Sequence, residues 1–128
     1  MDQISNLIIQ IKNGGFAGHE SVVSPYSKLK HSVVETLKAE GFVKDVEKRT
    51  EKGRPVLKIS LLMENRVPKI KGVQRISKPS KRVYKKASEM RAVKSGYGAR
   101  IVATSAGVMS GSKAKKASLG GEALFSIW

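Results

Sequence analysis

Fifteen Lys and Arg but a single acid, Glu89, fall between Asn65 and Gly121, in a stretch that also spaces Val, Ile, Leu, Tyr and Gly like β-strands. The first 64 residues hold the other ten bases and eight of the ten acids. Nearly all of the +15 net charge therefore belongs to the C-terminal half. A disordered basic arm can carry such charge, but arms lack apolar periodicity. This half is expected to fold, with the charge on its surface. A folded face so charged repels itself and calls for a polyanion, and nucleic acid is the foremost one.

A chain of 128 residues has room for one domain or two small ones. Hydrophobic residues make up 40% and aromatics 5%, so the core should be aliphatic. The absence of cysteine excludes disulfides, a thiol nucleophile and Cys-based zinc. The start, Met1-Asp2-Gln3-Ile4, has no basic region followed by a long apolar stretch, and apolar runs such as Leu61-Leu62-Met63 are too short to span a bilayer. The expectation is a soluble, intracellular protein without a membrane partner.

Ile4, Leu7, Ile8 and Ile11 follow i, i+3, i+4, i+7 and predict one apolar helix face, which core packing suffices to explain. Asp2 can cap that helix, and Asn13-Gly14-Gly15 supplies a stop. Val22-Val23 is a short strand. Ser27 is the expected N-cap of a second helix whose buried side is Leu29, Val33 and Leu37, with Gly41 at its C-terminal end. Phe42 to Arg49, a turn at Thr50-Glu51-Lys52-Gly53 and Val56 to Met63 make a hairpin, with Leu57, Ile59 and Leu61 on one face. Glu64-Asn65-Arg66-Val67-Pro68 reads as a linker. Beyond it are a strand at Ile70–Ile76, a turn at Ser77-Lys78-Pro79-Ser80, then Arg82-Val83-Tyr84. Gly96-Tyr97-Gly98 leads into a strand at Ala99–Ala103. A loop starts at Gly107-Val108-Met109, a short helix at Ser112–Ser118 is broken by Gly120-Gly121, and a strand runs from Glu122 to Trp128. The predicted class is α+β: an N-terminal helix-strand-helix-hairpin half, residues 1–63, a linker, 64–68, and a mainly β half with one short helix, 69–128, packed against the first.

No catalytic constellation is visible. His19 and His31 have no partners at metal-ligand or triad spacing and read as surface or packing residues. Gly96-Tyr97-Gly98 is too short for a dinucleotide fingerprint, and no Walker lysine follows a glycine loop. The reading is a protein without enzymatic activity, metal or cofactor.

The bases, in contrast, group usefully. Lys69, Lys71 and Arg75 would share one face of a regular strand. Lys78 and Lys81 flank the Ser77–Pro79 turn, and Arg82, Lys85 and Lys86 bracket Tyr84. A tyrosine among bases can stack on a splayed nucleotide, or it can pack on the core; both readings stay open. The most specific stretch is Ile101-Val102-Ala103-Thr104-Ser105-Ala106-Gly107-Val108-Met109-Ser110, followed by Gly120-Gly121-Glu122. Its hydroxyls and free amides form a neutral polar surface that glycine lets approach an RNA backbone. Glu122, the only acid after Glu89, can accept from a base edge. Equally, Thr104 and Ser105 can cap the turn and Glu122 can pair with a neighbouring base.

Several spaced motifs in the right order resemble the bacterial-type small-subunit ribosomal protein eight family along nearly the whole chain. They are the opening helix Ile4 to Asn13-Gly14, Pro25-Tyr26-Ser27-Lys28-Leu29-Lys30, Glu40-Gly41-Phe42, Gln74-Arg75-Ile76-Ser77-Lys78-Pro79, Arg82-Val83-Tyr84, Thr104-Ser105 through Gly107-Val108-Met109-Ser110, and Leu119-Gly120-Gly121-Glu122. The resemblance implies a two-part protein that binds the central domain of small-subunit ribosomal RNA, at a helix with an internal loop, and helps assemble the subunit platform. It implies neighbouring small-subunit ribosomal proteins as partners and, in some bacteria, repression of its own operon message. The compartment would be the cytoplasmic ribosome, or an organellar one. By analogy Thr104, Ser105, Tyr84 and Glu122 lie at the RNA contact, with Ser27 and Lys28 adding to it. Lys30, Lys78, Lys81, Arg82, Lys85, Gly107, Val108, Met109, Ser110 and Gly121 complete the expected RNA-binding set.

The chain departs from the family pattern at Ala106 where Lys or Arg is common, Ala103 where a hydroxyl is usual, Gln10 where a base is frequent and Asn6 where an acid is, and Glu64 to Pro68 is an atypical link between the halves. The alternative reading is a sequence-tolerant RNA- or DNA-binding regulator outside the ribosome. A DNA reader would want bases on a recognition helix, whereas the second helix mixes Lys28, Lys30 and Lys38 with Glu35 and Glu40.

Overall fold

The computed structural model describes residues 3–64, 67–78, 80–89 and 98–128, in two compact units, Gln3–Lys71 and Gly72–Trp128. Both are built from helices and antiparallel sheet, so the class is α+β as expected. Asp2, Asn65, Arg66, Pro79, Gly96 and Tyr97, which carry parts of the sequence reading, lie outside the described residues.

The N-terminal unit contains α1 (Gln3–Phe16), β1 (Ser21–Pro25), α2 (Lys28–Ala39), β2 (Val43–Glu51) and β3 (Arg54–Leu61), then a two-residue-per-strand ladder of β4 (Met63–Glu64) and β5 (Val67–Pro68). The main sheet has the order β1-β3-β2. Ile4, Leu7, Ile8 and Ile11 are buried as the periodicity requires. The expected stop at Gly14-Gly15 is wrong: both glycines are buried inside α1. A Cβ on Gly14 would stand 2.6 Å from Val22 Cγ1, so glycine is there to let α1 approach β1. The real stop is Gly18, at φ +79, where the N–H groups of Gly18 and His19 donate to the carbonyls of Gly15 and Gly14.

Ser27 caps α2 as expected, its hydroxyl accepting from the Lys30 N–H at 3.1 Å. The predicted buried side needs correction, because Leu29 is 45% exposed. The spacing of Leu29, Val33 and Leu37 is i, i+4, i+8, which drifts around a 3.6-residue helix. The buried stripe is Lys30, Val33, Val34 and Leu37, which is i, i+3, i+4, i+7. Gly41 ends α2 as expected: its N–H and that of Phe42 donate to the carbonyls of Lys38 and Leu37. β2 and β3 pair out to Glu51↔Arg54 around a Lys52-Gly53 turn. Leu57, Ile59 and Leu61 are buried on one face of β3.

The C-terminal unit contains β6 (Val73–Arg75), β7 (Tyr84–Lys85), a 3-10 turn (Ala87–Glu89), β8 (Ala99–Thr104), β9 (Gly107–Ser110), α3 (Gly111–Lys116) and β10 (Gly121–Ile127). Its sheet runs β6-β10-β8-β9, and β7 also pairs with β10. Ile101, Val102, Ala114, Ala123, Phe125 and Ile127 are the buried core.

Three sequence expectations fail in this unit. The strand foreseen at Ile70–Ile76 is only Val73–Arg75, so Lys69 and Lys71 are not on it and belong to the other unit. Gly107-Val108-Met109 is strand β9, paired with β8 from Thr104↔Gly107 to Ile101↔Ser110, and not the start of a loop. Gly120-Gly121 does not end α3. Its end is set by Ser118, at φ 57, where the N–H groups of Ser118 and Leu119 donate to the carbonyls of Lys115 and Ala114.

Candidate nucleic-acid interface

The start of β10 gathers residues that are far apart in sequence. Gly121 is paired with Thr104 on one side and Lys85 on the other, while Glu122 is paired with Ala103 and Tyr84. A Cβ on Gly121 would lie 2.2 Å from the Ala103 carbonyl oxygen, and one on Gly120 2.8 Å from that of Lys85. The two glycines therefore serve close strand packing here. They bring the Tyr84 and Thr104 segments onto one short stretch of backbone.

The hydroxyl turn at the end of β8 is self-contained. Thr104 Oγ1 donates to the Gly107 carbonyl at 2.8 Å and accepts from the Ala106 N–H at 3.2 Å. Ser105, Ala106 and Gly107 are exposed at its tip. Ala106 thus presents a methyl where a basic residue would present charge. Val108 and Met109 are half-buried, and Met109 packs on Val102 and Ala114. Ser110 is buried and caps α3, its hydroxyl accepting from the Lys113 N–H at 3.3 Å.

Tyr84 is 70% exposed, so of its two readings the packed one is not what the structure shows. Lys78 and Lys81 are exposed and closed into a turn by a reciprocal pair of backbone hydrogen bonds, both 3.0 Å. Lys85 is half-buried. Arg82 is exposed and donates from Nη1 to Glu122 Oε2 at 3.1 Å. Glu122 is only 19% exposed at its side chain. Ser77, fully buried, donates its hydroxyl to the same Oε2 and accepts from the Val83 N–H at 3.1 Å. Ser77 was absent from the predicted set. Its signal was the Ser-x-Pro turn, whose burial no local pattern reveals. Lys113, Lys115 and Lys116 were also passed over, although three lysines in the exposed face of a two-turn helix enlarge the positive surface.

In the N-terminal unit, Ser27 is committed to its cap and Lys28 is exposed. Lys30 is a correction to the exposed cationic set. It is 8% exposed, with Nζ donating to Ser24 Oγ and the Pro25 carbonyl, both at 3.4 Å. Lys48 Nζ stands 4.2 Å above the Tyr26 ring, and His31 meets that ring edge-on while lying 3.3 Å from Glu35. Gln10, where a base was expected, donates to the Val23 carbonyl at 2.7 Å and ties α1 to β1. The acids here are partly spent in pairs, Asp45 with Lys38 at 3.0 Å and Glu47 with Arg49 at 2.9 Å. The hydrogen bond from Lys38 holds the Asp45 carboxyl below the usual carboxylate range, and the same bond raises Lys38.

Among the described residues, no three His, Cys, Asp or Glu side chains converge on a metal-sized site. No described helix is long and apolar enough to cross a membrane. The arrangement offers donors, the exposed Tyr84 ring and positive charge, which suits binding a polyanion.

Comparison with known proteins agrees along the whole chain. The family model for Ribosomal protein S8 matches residues 2–128. The small ribosomal subunit protein uS8 of Leuconostoc mesenteroides is 41% identical over 128 residues, spanning 99% of this chain and 97% of its own. Those of Heliobacterium modesticaldum and Staphylococcus aureus are 42% and 39% identical, with the same coverage. With matches of this length and identity, the chain belongs to the ribosomal protein S8 family.

Proposed function

We propose that this protein is a structural constituent of the small ribosomal subunit and a direct binder of the central domain of its ribosomal RNA, supporting assembly of the platform. Membership of the S8 family supports the ribosomal role. The observation that carries the RNA reading is the convergence at the start of β10. Exposed Tyr84 and Arg82 adjoin Glu122 there, and the Thr104–Gly107 turn joins the same end of β10 through the Thr104↔Gly121 pair, on a unit whose sequence is strongly basic. A-form RNA hides its bases in a deep groove, so the target is a helix interrupted by an internal loop, with unpaired nucleotides to touch. Neighbouring small-subunit proteins are the further partners. The ribosome is cytoplasmic or organellar, and a message that mimics the loop is a route to translational repression.

The test is a titration against a central-domain hairpin carrying its internal loop, with a fully paired hairpin as control, at two salt concentrations. Specific binding should need the loop. Thr104→Ala should weaken it by about tenfold, because one hydroxyl serves both the turn and its presentation. With six to ten phosphate contacts, affinity should fall about 10³- to 10⁵-fold between roughly 50 and 200 mM salt. Equal affinity for both hairpins would refute the loop-specific reading and favour a sequence-tolerant polyanion binder.

A further inference from the structure

Glu122 is out of place on electrostatic grounds. A carboxylate beside a surface meant for phosphates repels the ligand, yet this one is held three ways. Its Oε2 accepts from buried Ser77 and from Arg82, and its own backbone is locked between Ala103 and Tyr84. Ser77 is fixed in turn, since its N–H donates to the Ala123 carbonyl at 3.0 Å and its hydroxyl accepts from Val83, one residue before Tyr84. The relay therefore runs from the sheet core through Ser77 and Glu122 to the guanidinium of Arg82.

We propose that Glu122 and Ser77 are positioning residues that lock the Arg82 guanidinium into one orientation, making Arg82 the residue that distinguishes the looped RNA from plain duplex. The proposal rests on the RNA-binding reading above. An arginine has five N–H donors in a rigid fork, and a single contact to Oε2 leaves most of them for a ligand. A free arginine side chain spends rotamer entropy on docking; one already held does not. A diffuse surface cation attracts any phosphate equally, whereas a fixed fork matches one arrangement of acceptors. The cost of the acid, some repulsion of all RNA, is offset only for the RNA that fits the fork.

The prediction has an unusual sign. Removing the acid should strengthen binding to the wrong RNA and weaken binding to the right one. The experiment measures affinity for the looped and the fully paired hairpins with wild type, Glu122→Ala, Arg82→Ala and the double variant. Thermal melts of each report folding, and Glu122→Gln restores an acceptor without the charge. Glu122→Ala should lower looped-RNA affinity about tenfold while paired-RNA affinity holds or rises. In the Arg82→Ala background the same change should leave discrimination unaltered, and Gln should recover part of the loss.

Losses that simply multiply in the double variant would show that Glu122 contacts RNA independently and would overturn the relay. So would an equal loss for both hairpins accompanied by a lowered melting temperature, which would mean general structural damage. If wild type itself fails to discriminate the hairpins, it is the underlying RNA reading that falls. If wild type discriminates and Glu122→Ala does so equally well, the positioning proposal alone is refuted.

Discussion

Gly121→Ala should be among the most damaging small substitutions in the chain, and the reason can be worked from distances. Its new methyl carbon would sit 2.2 Å from the Ala103 carbonyl oxygen, 2.9 Å from the Ala103 carbonyl carbon and 3.1 Å from Thr104 Cα. Ordinary contact requires about 1 Å more, and every obstacle is backbone. Strands stand only about 4.8 Å apart, so β8 cannot retreat by that much without breaking ladder bonds. Moving β10 the other way drives it into β7, because Gly121 is paired with Lys85 there. Overpacking typically costs 1–3 kcal/mol and a lost hydrogen bond about 1, for a total of about 3 kcal/mol. In a chain of this size that lowers the melting temperature by roughly 10 °C. Gly14→Ala is the matched control. Its obstacles at 2.6 and 3.3 Å are side-chain methyls of Val22 and Leu61 and not backbone, so α1 and β1 must part slightly but no ladder bond is at stake. Alanine is the better helix former by about 1 kcal/mol, which offsets part of that overpacking and leaves a net cost of about 1–2 kcal/mol. Thermal unfolding by circular dichroism measures both variants. Fluorescence of Trp128, the single tryptophan, with its indole against Gly72, reports the C-terminal unit separately. A Gly121→Ala protein melting within about 2 °C of wild type, or a Gly14→Ala protein that proves the less stable of the two, would refute the reasoning.

Two further expectations concern the N-terminal unit. Leu29→Ala should cost less than about 0.5 kcal/mol and Val33→Ala roughly 2 kcal/mol in denaturant unfolding, since Leu29 is 45% and Val33 0% exposed; the reverse order would contradict the assigned buried stripe. The Asp45 carboxyl, lowered first by its hydrogen bond from Lys38, contributes stability that is present above its unfolded value and is lost as pH falls through its folded one. An NMR titration should find the carboxyl returning toward its ordinary value in Lys38→Met, and an unmoved titration would show that Lys38 is not the cause.

Much of this fold is written in local pattern. Ile4, Leu7, Ile8 and Ile11 name their helix face, and Ser27, Gly41 and the Lys52-Gly53 turn are each fixed by chemistry within a few residues. The misreadings arose where a residue answers to something distant. Gly14 looks like a helix breaker until Val22 is beside it, and Gly120-Gly121 looks like a stop until Lys85 and Ala103 press on it. The site divides in the same way. The hydroxyl turn was reachable from sequence, but the exposure of Tyr84, which the sequence leaves open, and the burial of Lys30 and Ser77 were not. Glu122 was noticed for its isolation. Its partners, 45 and 40 residues away, become visible only once β10 is aligned with its neighbours.

That alignment also bears on when the protein acquires the surface proposed to bind RNA. β10 is the common partner of β6, β7 and β8, and it is the last strand in chain order. Chains fold during synthesis from the N-terminal end, at roughly 5–20 residues per second. Residues 3–71 can form their own core early, while Tyr84 and Thr104 have no shared strand to hold them until residues 121–127 have emerged. A nascent chain therefore presents its positive charge before it presents the geometry that would make that charge selective. Under the proposed RNA-binding role, commitment to a particular RNA waits on the synthesis of residues 121–127, and a chain lacking them would carry the attraction without the discrimination.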